Sequence, residues 1–461
     1  MHTSPPKAAI GCDCPGSIRR APRPAPRFEV RVPTSPGSLL AARGIYYGWW
    51  VVFACASVIF FTGGVFFYGF GLLVTPLTEE FGWSRAALSG AFSLRTEVGG
   101  VAAPVVGFVI DRLGVRRVVI AGVITVAVGL LLLSRIESLW AFYGAVIIIA
   151  IGNSGSGGAA GAVAVAHWFR RRRGRALGWL TMGGGASGAT VILLAWLITS
   201  FGWRDALVIL AVAQIVISLP LALSIRNRPG DMGLSVDGLE PVAEELPGSP
   251  AAVRVEAEEG LTTREALRSS QFWRIALAAA LANFATTSVV VHLVPFLTES
   301  VEMSAGSAAV VLTLAIVLSL FGRLGFGFVA DFLPKNLVLA GSYCLIALAL
   351  ALLATVHAPW QLGYVVPLYA LGFGGSVPAR TSIQAEYFGL KAFGAVQGMM
   401  LTVSTLGGVA GPVLAGWLYD ISGSYRLAFL LLAAGAALAI PLIFTARRPQ
   451  KAARLPAASA G

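Results

Sequence analysis

The chain has 461 residues, of which 56% are hydrophobic and only 12% are charged, and its mean hydropathy is +0.78. These values exclude an ordinary water-soluble globular protein and indicate an integral membrane protein. The formal net charge of +12 is also compatible with nucleic-acid binding, so the distribution of charge along the chain has to decide between the two.

The N-terminal 43 residues are rich in Pro, Arg and Ser. They lack the apolar core of about 7–15 residues that a signal peptide requires. We expect residues 1–43 to form a disordered cytoplasmic tail, or to be a mis-assigned start of the coding sequence. Residues 447–461 are predicted to form a second, short cytoplasmic tail.

Apolar stretches long enough to cross a bilayer follow the N-terminal tail. A hydrocarbon core of about 30 Å requires about 20 helical residues. Twelve stretches reach this length, and helices are predicted because backbone polar groups in lipid must be satisfied within the segment. The predicted spans, one to twelve, are 49–76, 86–110, 118–134, 139–166, 176–200, 206–225, 275–297, 307–330, 337–356, 361–385, 392–417 and 427–445.

Most of the positive charge falls on one side of these spans, in the even-numbered loops and the tails. By the positive-inside rule, this pattern places both termini in the cytoplasm. The run RRRRGR is therefore interpreted as a topology determinant, and no nucleic-acid partner is predicted. The basic clusters are Arg112, Arg116 and Arg117, then Arg170 to Arg173 with Arg175, Arg226 and Arg228, Lys335, Lys391, and finally Arg447 and Arg448.

A second polar stretch divides the spans into two sets of six. It covers 226–270, mixes Gly and Pro, and contains the acidic run EELPGSPAAVRVEAEEG. We predict an N-terminal six-helix bundle over 44–225, a cytoplasmic linker over 226–270 and a C-terminal six-helix bundle over 271–446.

The two sets of spans resemble each other at an offset of about 220 residues. Several matches in the same order indicate a duplicated six-helix unit, and two such repeats facing each other leave a central cavity suited to alternating access. The matching pairs are Leu77-Thr78-Glu79 with Leu297-Thr298-Glu299, Gly107 and Asp111 with Gly327 and Asp331, Trp168-Phe169 with Tyr387-Phe388, Gly178 with Gly398, and Arg204 with Arg426.

Recognisable enzymatic motifs are lacking in the sequence. The four cysteines are too scattered for a disulfide framework, and the CDC sequence of the tail has no further metal ligand nearby. The glycine-rich run GGGASG follows no strand, so it favours close helix packing over phosphate binding. We predict no enzymatic activity, no cofactor and no metal.

The sequence GFVIDRLGVRR closes span two and has the form G-x-x-x-D-R-x-G-x-R-R. It resembles the hallmark between helices two and three of the major facilitator superfamily, and the resemblance covers about residues 45–447. GFGFVAD is a reduced copy in the second half. The resemblance implies an all-α membrane fold of twelve transmembrane helices and a conformational latch. The implied latch residues are Gly107, Asp111, Arg112, Gly114, Arg116, Arg117 and Asp331.

A narrower resemblance rests on HWFRRRRGRALGWLTMGGGASG followed by FGWRDA, on YFGLKAFGAVQG and on GGVAGPVLAGWLYDISGSY. These sequences are similar to those of the monocarboxylate transporter and oxalate/formate exchanger branch. In that branch the arginine of the eighth helix binds the substrate carboxylate, and FGRLGFGFVAD aligns Arg323 with it.

The depth of Arg323 supports a role in anion binding. Asp331 marks the end of span eight, so Arg323 is expected about 12 Å inside the membrane, at about 1.5 Å per residue. A charge at this depth is costly unless it faces water, a partner or a ligand. The planar guanidinium matches a carboxylate bidentately, so a substrate carboxylate would satisfy it. The structural alternative is a permanent pair with an acidic residue of the protein.

Two departures from the branch restrict the substrate and the coupling. Lactate carriers have an aspartate one turn before the arginine, where this chain has Ser319, which leaves proton coupling open. Oxalate exchangers have a lysine in helix eleven, whereas 392–417 contains neither Lys nor Arg. The missing second cation argues against a dicarboxylate.

Other polar residues in the spans are candidates for binding, coupling or gating. His292 can carry a proton or bind substrate, or it can be a buried, hydrogen-bonded histidine. Arg95 and Glu97 of span two are a proton site or a structural pair. Tyr68 of span one is a substrate contact or a packing residue, and Arg380 and Glu386 of span ten are gate candidates near the cytoplasmic end.

These observations predict a secondary transporter of the inner membrane that carries a small monocarboxylate by alternating access, with proton coupling or exchange. The predicted partners are the organic anion, protons in the case of coupling, and the lipid bilayer, and a monomer is compatible with the sequence. One alternative is a drug or sugar efflux carrier of the same fold. Another is a non-transporting membrane sensor, although neither the tail nor the linker is large enough for a folded cytoplasmic domain.

Overall fold

A computed structural model describes residues 46–63, 69–238 and 260–449. Within these ranges the chain is helical, apart from short connections and one isolated β-bridge between Gly260 and Gly389. The tail predicted over 1–43, the middle of the predicted linker and most of the C-terminal tail lie outside the described residues.

Helices of the first half occur in each of the predicted spans one to six. Two helices lie in the described part of span one, and span four is divided where Gly157 takes an extended conformation. The α-helices are α1 (Tyr47–Gly63), α2 (Phe70–Phe81), α3 (Arg85–Leu113), α4 (Val115–Ser134), α5 (Leu139–Ser156), α6 (Gly158–Trp168), α7 (Arg173–Ala186), α8 (Thr190–Ala213) and α9 (Leu219–Ser224). A π-helical turn, Gln214–Ser218, joins α8 to α9.

The second half begins with a short helix and continues with six long ones. The short helix, α10 (Thr263–Arg268), has a capping box in which Thr262 and Glu265 satisfy each other's backbone N–H groups. The long helices are α11 (Ser270–Glu299), α12 (Ala305–Val329), α13 (Lys335–Leu353), α14 (Leu362–Phe388), α15 (Phe393–Ser422) and α16 (Tyr425–Phe444).

The helices have the length and composition of membrane spans. In the described ranges, nine helical stretches are long and apolar enough to cross a bilayer. One of them, Arg173–Ser224, has 52 residues and contains predicted spans five and six, which separate at Gly202 with its φ of 81°. Spans one and two correspond to α1 with α2 and to α3.

Close helix contacts depend on small residues. The hydrophobic effect does not drive helices together inside a bilayer, because lipid tails are as apolar as the side chains, so close packing has to stabilise the contact. A β-carbon at Gly122 of α4 would lie 2.7 Å from the backbone oxygen of Gly152 on α5. Only glycine permits this approach. Larger side chains such as Phe142, Tyr343 and Phe429 fill the interior of the two halves and are almost fully buried.

The start and the end of the linker lie on one face of the molecule, which we call the linker face and define by Asn227, Asp237 and Leu261. The backbone N–H of Arg116 donates to Asn227 Oδ1 over 2.9 Å, and that of Leu261 donates to the Phe388 oxygen over 2.9 Å. The opposite face, called the far face, carries the ion pair between Glu80 and Arg204.

The most extensive contacts between the two halves are those of two helix pairs, α3 with α15 and α7 with α12. Glycines line both pairs. A β-carbon at Gly107 of α3 would collide with the backbone oxygen of Gly394 on α15, and one at Gly327 of α12 would lie 2.7 Å from the oxygen of Gly174 on α7. These contacts hold the halves together next to the linker face.

Candidate functional site

Arg323 lies on α12 at the boundary between the two halves. Only 8% of the Arg323 surface is exposed, and its Nη1 donates a hydrogen bond of 2.9 Å to the backbone oxygen of Thr181 on α7. Eight residues separate it from Asp331, so it is about 12 Å from that end of the span. The guanidinium is therefore placed deep in the span and toward the opposite half.

Small residues on α7 make room for the Arg323 side chain. A β-carbon at Gly178 would lie 2.7 Å from the Arg323 backbone oxygen, and one at Gly185 would lie 3.2 Å from Arg323 Nε. On the other side, the Phe373 ring of α14 has its centroid 5.7 Å from Arg323 Cζ. The guanidinium is thus held between a glycine-rich helix surface and an aromatic ring, which is a favourable surrounding for a cation.

Ser319, one turn before Arg323, is fully buried at 0% exposure. Its hydroxyl donates to the backbone oxygen of Ile316 in the same helix over 2.6 Å. Its backbone oxygen packs directly against Gly374 of α14. The contacts described for Ser319 are therefore internal to the second half, and its predicted substrate contact stays a prediction.

Asp111, at the linker-face end of α3, binds the start of a helix in the other half. Its carboxylate accepts hydrogen bonds from the backbone N–H groups of Gly394 at 2.8 Å and Ala395 at 2.9 Å. Both amides belong to the first turn of α15, where the helix leaves N–H groups unsatisfied and carries a partial positive charge. We call this interaction the Asp111 contact.

Asp331 makes the corresponding interaction from the second half. Its carboxylate accepts from the backbone N–H of Gly174 at 2.7 Å and from Arg175, by the backbone N–H at 3.3 Å and by Nε at 2.7 Å. The Asp331 side chain is only 3% exposed, so this charge depends on these donors. We call this interaction the Asp331 contact.

The two contacts are related by the internal repeat. Asp111 and Asp331 are 220 residues apart in the sequence, and each carboxylate binds the N-terminal turn of a helix from the opposite half. Charge-assisted bonds of this kind are about twice as strong as neutral ones. Together they fasten the halves to each other at the linker face.

The remaining residues of GFVIDRLGVRR shape the turn between α3 and α4. Gly114 has a φ of 83°, and a β-carbon there would lie 2.6 Å from Asn227 Nδ2, so glycine is required on both counts. Arg112 lies over the Phe108 ring at 4.2 Å. The Arg116 backbone binds Asn227, and Arg117 is exposed.

His292 is placed within the second half, away from the contacts of Arg323. Its Nε2 lies 2.9 Å from the backbone oxygen of Pro412 on α15, which makes Nε2 the donor because a carbonyl can only accept. Its ring lies 5.6 Å from that of Tyr425 on α16. These contacts favour the interpretation of His292 as a hydrogen-bonded packing residue. Its roles in substrate binding and proton coupling stay predictions.

The candidates of spans one and two differ in how far the structure describes them. Arg95 of α3 is buried at 6% exposure, and Glu97 is partly buried. The two are adjacent but one on the helix and so project in different directions. Tyr68 lies outside the described residues.

The two gate candidates on α14 have different partners and are not brought together. Glu386 forms an ion pair of 2.7 Å with Lys335 at the start of α13. Arg380 donates from Nη1 to Ser404 Oγ on α15 over 3.3 Å. Arg380 is eight residues before the end of α14, so it lies about 12 Å inside the span. This is deeper than the predicted position near the cytoplasmic end of span ten.

Two important contacts were not predicted from the sequence. The acceptor for Arg323, the backbone oxygen of Thr181, carries no signal because any residue supplies a carbonyl. Asp237 accepts from the backbone N–H groups of Arg170 at 3.0 Å, Arg171 at 2.7 Å and Arg172 at 3.3 Å, although it was assigned only to a polar linker. An acid at the start of the linker and a basic loop are the only hint of this pairing.

Tyr46 strengthens the same connection. Its hydroxyl lies 2.9 Å from the backbone oxygen of Ser235 and 3.1 Å from that of Trp168. Burial and the negative charge of Asp237 raise the pKa of Tyr46, so the phenol stays protonated and remains a donor. The start of the linker is thus bound to the loop that leads into α7.

Metal binding finds no support in the part of the chain that the structure describes. Within those ranges, no group of three or more His, Cys, Asp and Glu side chains is arranged to hold a metal ion. The carboxylates of Asp111 and Asp331 instead bind helix ends at the linker face.

Comparison with known proteins assigns the family. The model of the Major Facilitator Superfamily matches residues 52–379 and 293–460. These ranges cover more than half of the chain, and the chain belongs to the Major Facilitator Superfamily. The predicted resemblance and the all-α membrane fold are thereby confirmed, and the protein is a multi-pass membrane transporter rather than an enzyme.

Individual proteins of this superfamily are similar to the chain over most of its length. Monocarboxylate transporter 11 of Mus musculus is 31% identical over 401 residues, which cover 83% of this chain and 84% of that protein. The oxalate:formate antiporter of Oxalobacter formigenes is 25% identical over 368 residues, with coverage of 76% and 82%. Among solved structures, the E. coli fucose:proton symporter FucP superposes with a TM-score of 0.64 at 19% identity, over 87% of this chain and 98% of that one, and shows the fold alone.

Proposed function

We propose that this transporter carries a small organic anion, a monocarboxylate of the lactate, pyruvate or formate class, across the inner membrane by alternating access. The observation that carries the proposal is the position of Arg323. A permanently charged, planar donor lies deep in a membrane span and at the boundary between the halves. Alternating access requires a substrate site at such a boundary.

The chemistry of Arg323 supports a carboxylate as its ligand. The described acceptor of its Nη1 is the neutral backbone oxygen of Thr181. A carboxylate accepts two parallel bonds from a guanidinium and carries a full negative charge, so it is the stronger acceptor. The names of the relatives point to the same class of ligand, since both refer to carboxylate transport.

The Asp111 and Asp331 contacts act, in this proposal, as the latch between access states. Both join the halves at the linker face, so the state that contains them is closed on that side. The excess of basic residues on the same face supports a cytoplasmic linker and cytoplasmic termini. Opening toward the cytoplasm would then require both carboxylates to release their helix ends.

Coupling is proposed to occur with protons or by exchange for a second anion. Movement of a monocarboxylate together with one proton carries no net charge, and neither does one-for-one exchange of two monocarboxylates. Recording the pH change and the dependence on an internal counter-anion during uptake into liposomes separates these two forms of coupling.

A substrate screen in proteoliposomes tests the proposed function. We expect saturable uptake of labelled lactate, pyruvate or formate, and no uptake of neutral sugars or of cationic drugs. Uptake that is competed by a neutral or cationic compound but not by carboxylates would contradict the proposal and favour a drug or sugar carrier of the same fold.

A further inference from the structure

Arg380 occupies a position on α14 that relates it to Arg323. It follows Phe373 by seven residues, so the two side chains project from the same face of the helix, about 10 Å apart along its axis. The Phe373 ring is the one that contacts the Arg323 guanidinium. The backbone of α14 at Gly374 packs against Ser319 and Arg323 of α12. Arg380 follows Gly374 by six residues toward the linker face, so it lies about 9 Å on the linker side of Arg323.

The partners of Arg380 satisfy little of its charge. It is partly buried, and its one hydrogen bond to the described residues is the bond of 3.3 Å to Ser404 Oγ. The Ser404 hydroxyl is itself 3.4 Å from the backbone oxygen of Ala279 and can donate there. A guanidinium has five N–H donors, and a charge at this depth is costly without a stronger acceptor.

Further buried polar atoms lie between this arginine and the linker face. Gln384 follows Arg380 by one turn on α14, and Gln397 lies near the start of α15. The side-chain oxygens of both are buried without a hydrogen-bond partner among the described residues. Unsatisfied buried polar groups in a native structure call for a ligand or water, so their placement indicates a polar path and not a packed apolar core.

We propose that Arg380 is a second anion-binding group on the transport path, and that it receives the substrate carboxylate from Arg323 on the linker side. The inference rests on the proposed function, because it concerns the same anion. Opening of the Asp111 and Asp331 contacts would uncover the region of Arg380, so the carboxylate exchanges Arg323 for Arg380 as it moves toward the linker face. A monocarboxylate needs only one cation at a time, which the two arginines provide in sequence.

Transport measured separately from each face tests this order. Proteoliposomes are sorted by whether an affinity tag added after α16, which ends at the linker face, is accessible from outside, and uptake of labelled lactate, pyruvate and formate is followed. For Arg380→Gln we expect the KM from the linker face to rise about tenfold or more, the cost of a lost charge-assisted bond. The KM from the far face should change by less than about threefold, because Arg323 is retained.

Matched variants separate anion binding from a structural role. Arg268→Gln makes the same substitution at an exposed position of α10 on the linker face and should leave both KM values unchanged. Arg380→Lys keeps the charge and should recover part of the linker-side affinity. Ser404→Ala removes the hydroxyl that accepts the hydrogen bond from Arg380. We expect the linker-side KM to stay within about twofold of that of the unmodified protein, because Arg380 binds the substrate and not primarily Ser404.

Four results would overturn the inference. An equal rise in KM from both faces would place Arg380 in the central site with Arg323. An unchanged KM in Arg380→Gln, or the same defect in Ser404→Ala, would make it a structural residue. If Arg323 variants lose carboxylate transport while Arg380→Gln is normal, the second anion-binding role of Arg380 is rejected and the proposed function stands. If no carboxylate is transported by the unmodified protein, both fail.

Discussion

Arg323 and Thr181 belong to opposite halves of the protein, and the Arg323 Nη1 lies 2.9 Å from the Thr181 backbone oxygen. The hydrogen bond is one of the contacts between α12 and α7, next to the close approach of Gly178. A carboxylate that takes over this donor would weaken a contact between the halves. In the proposed function, substrate binding and the opening of the α7–α12 boundary would be connected through this one side chain.

Gly107→Ala is expected to disrupt the closure at the linker face. The added methyl group would collide with the backbone oxygen of Gly394, and neither helix backbone can yield without moving α3 away from α15. We expect the initial rate of carboxylate uptake to fall about tenfold. Gly144→Ala is the matched control, because nothing lies within 4 Å of its β-carbon position, and it should transport normally. Equal rates in the two variants would show that the close approach is dispensable.

Asp331→Asn should loosen its latch contact more than Asp111→Asn loosens the other. The Asp331 carboxylate is buried and pairs with Arg175, whereas Asp111 is exposed to solvent. Losing one partner of a buried ion pair is more costly than losing an exposed charge. Hydrogen exchange should accelerate at residues 173–176 in Asp331→Asn and, to a smaller extent, at 393–396 in Asp111→Asn. The reverse order would contradict the role assigned to burial.

Asp237→Asn should free the loop that precedes α7. The carboxylate accepts from three consecutive backbone N–H groups, whereas the amide of Asn has only one acceptor oxygen. Asn also tolerates the φ of 61°, so the backbone strain is unchanged. We expect faster hydrogen exchange at 170–172. Asp231→Asn alters another acid of the linker, whose partner among the described residues is the Arg228 N–H within its own turn, and should leave that loop protected.

His292→Gln should preserve both uptake and its dependence on pH. The glutamine amide can donate to the Pro412 oxygen as the histidine Nε2 does, so the contact between α11 and α15 is retained. Uptake is measured from about pH 5.5 to about pH 8, a range that covers the proton-coupling role considered for a histidine. A flattened profile in the variant would assign the transported proton to His292 after all.

Length, hydropathy and the repeat were sufficient to predict the helical membrane fold. The apolar runs are set by bilayer thickness, and the copy of Gly107 and Asp111 at Gly327 and Asp331 reveals the duplication in the sequence itself. The helix ends that Asp111 and Asp331 bind could also be anticipated in general terms, because an anion at the end of one helix suits the N-terminal turn of another.

The partners within the site could not be predicted. Arg323 was recognised from the cost of a charge in lipid, but its acceptor is a backbone oxygen, which every residue has. Arg380 is predicted near the cytoplasmic end of span ten, at residue 385, whereas the helix continues to Phe388 and leaves Arg380 about 12 Å from its end. The contact of Asp237 depends on a left-handed turn and on the folded loop at 170–172, which no sequence period encodes.

The most direct test of the account is carboxylate uptake by Arg323→Lys in proteoliposomes, with the exposed Arg268→Lys as the matched control. Lysine keeps the positive charge but cannot form the bidentate pair, so we expect kcat/KM for lactate, pyruvate or formate to fall at least about tenfold while the control is unaffected. Normal uptake by Arg323→Lys, at an equal amount of folded protein, would contradict the assignment of Arg323 as the group that binds the transported carboxylate.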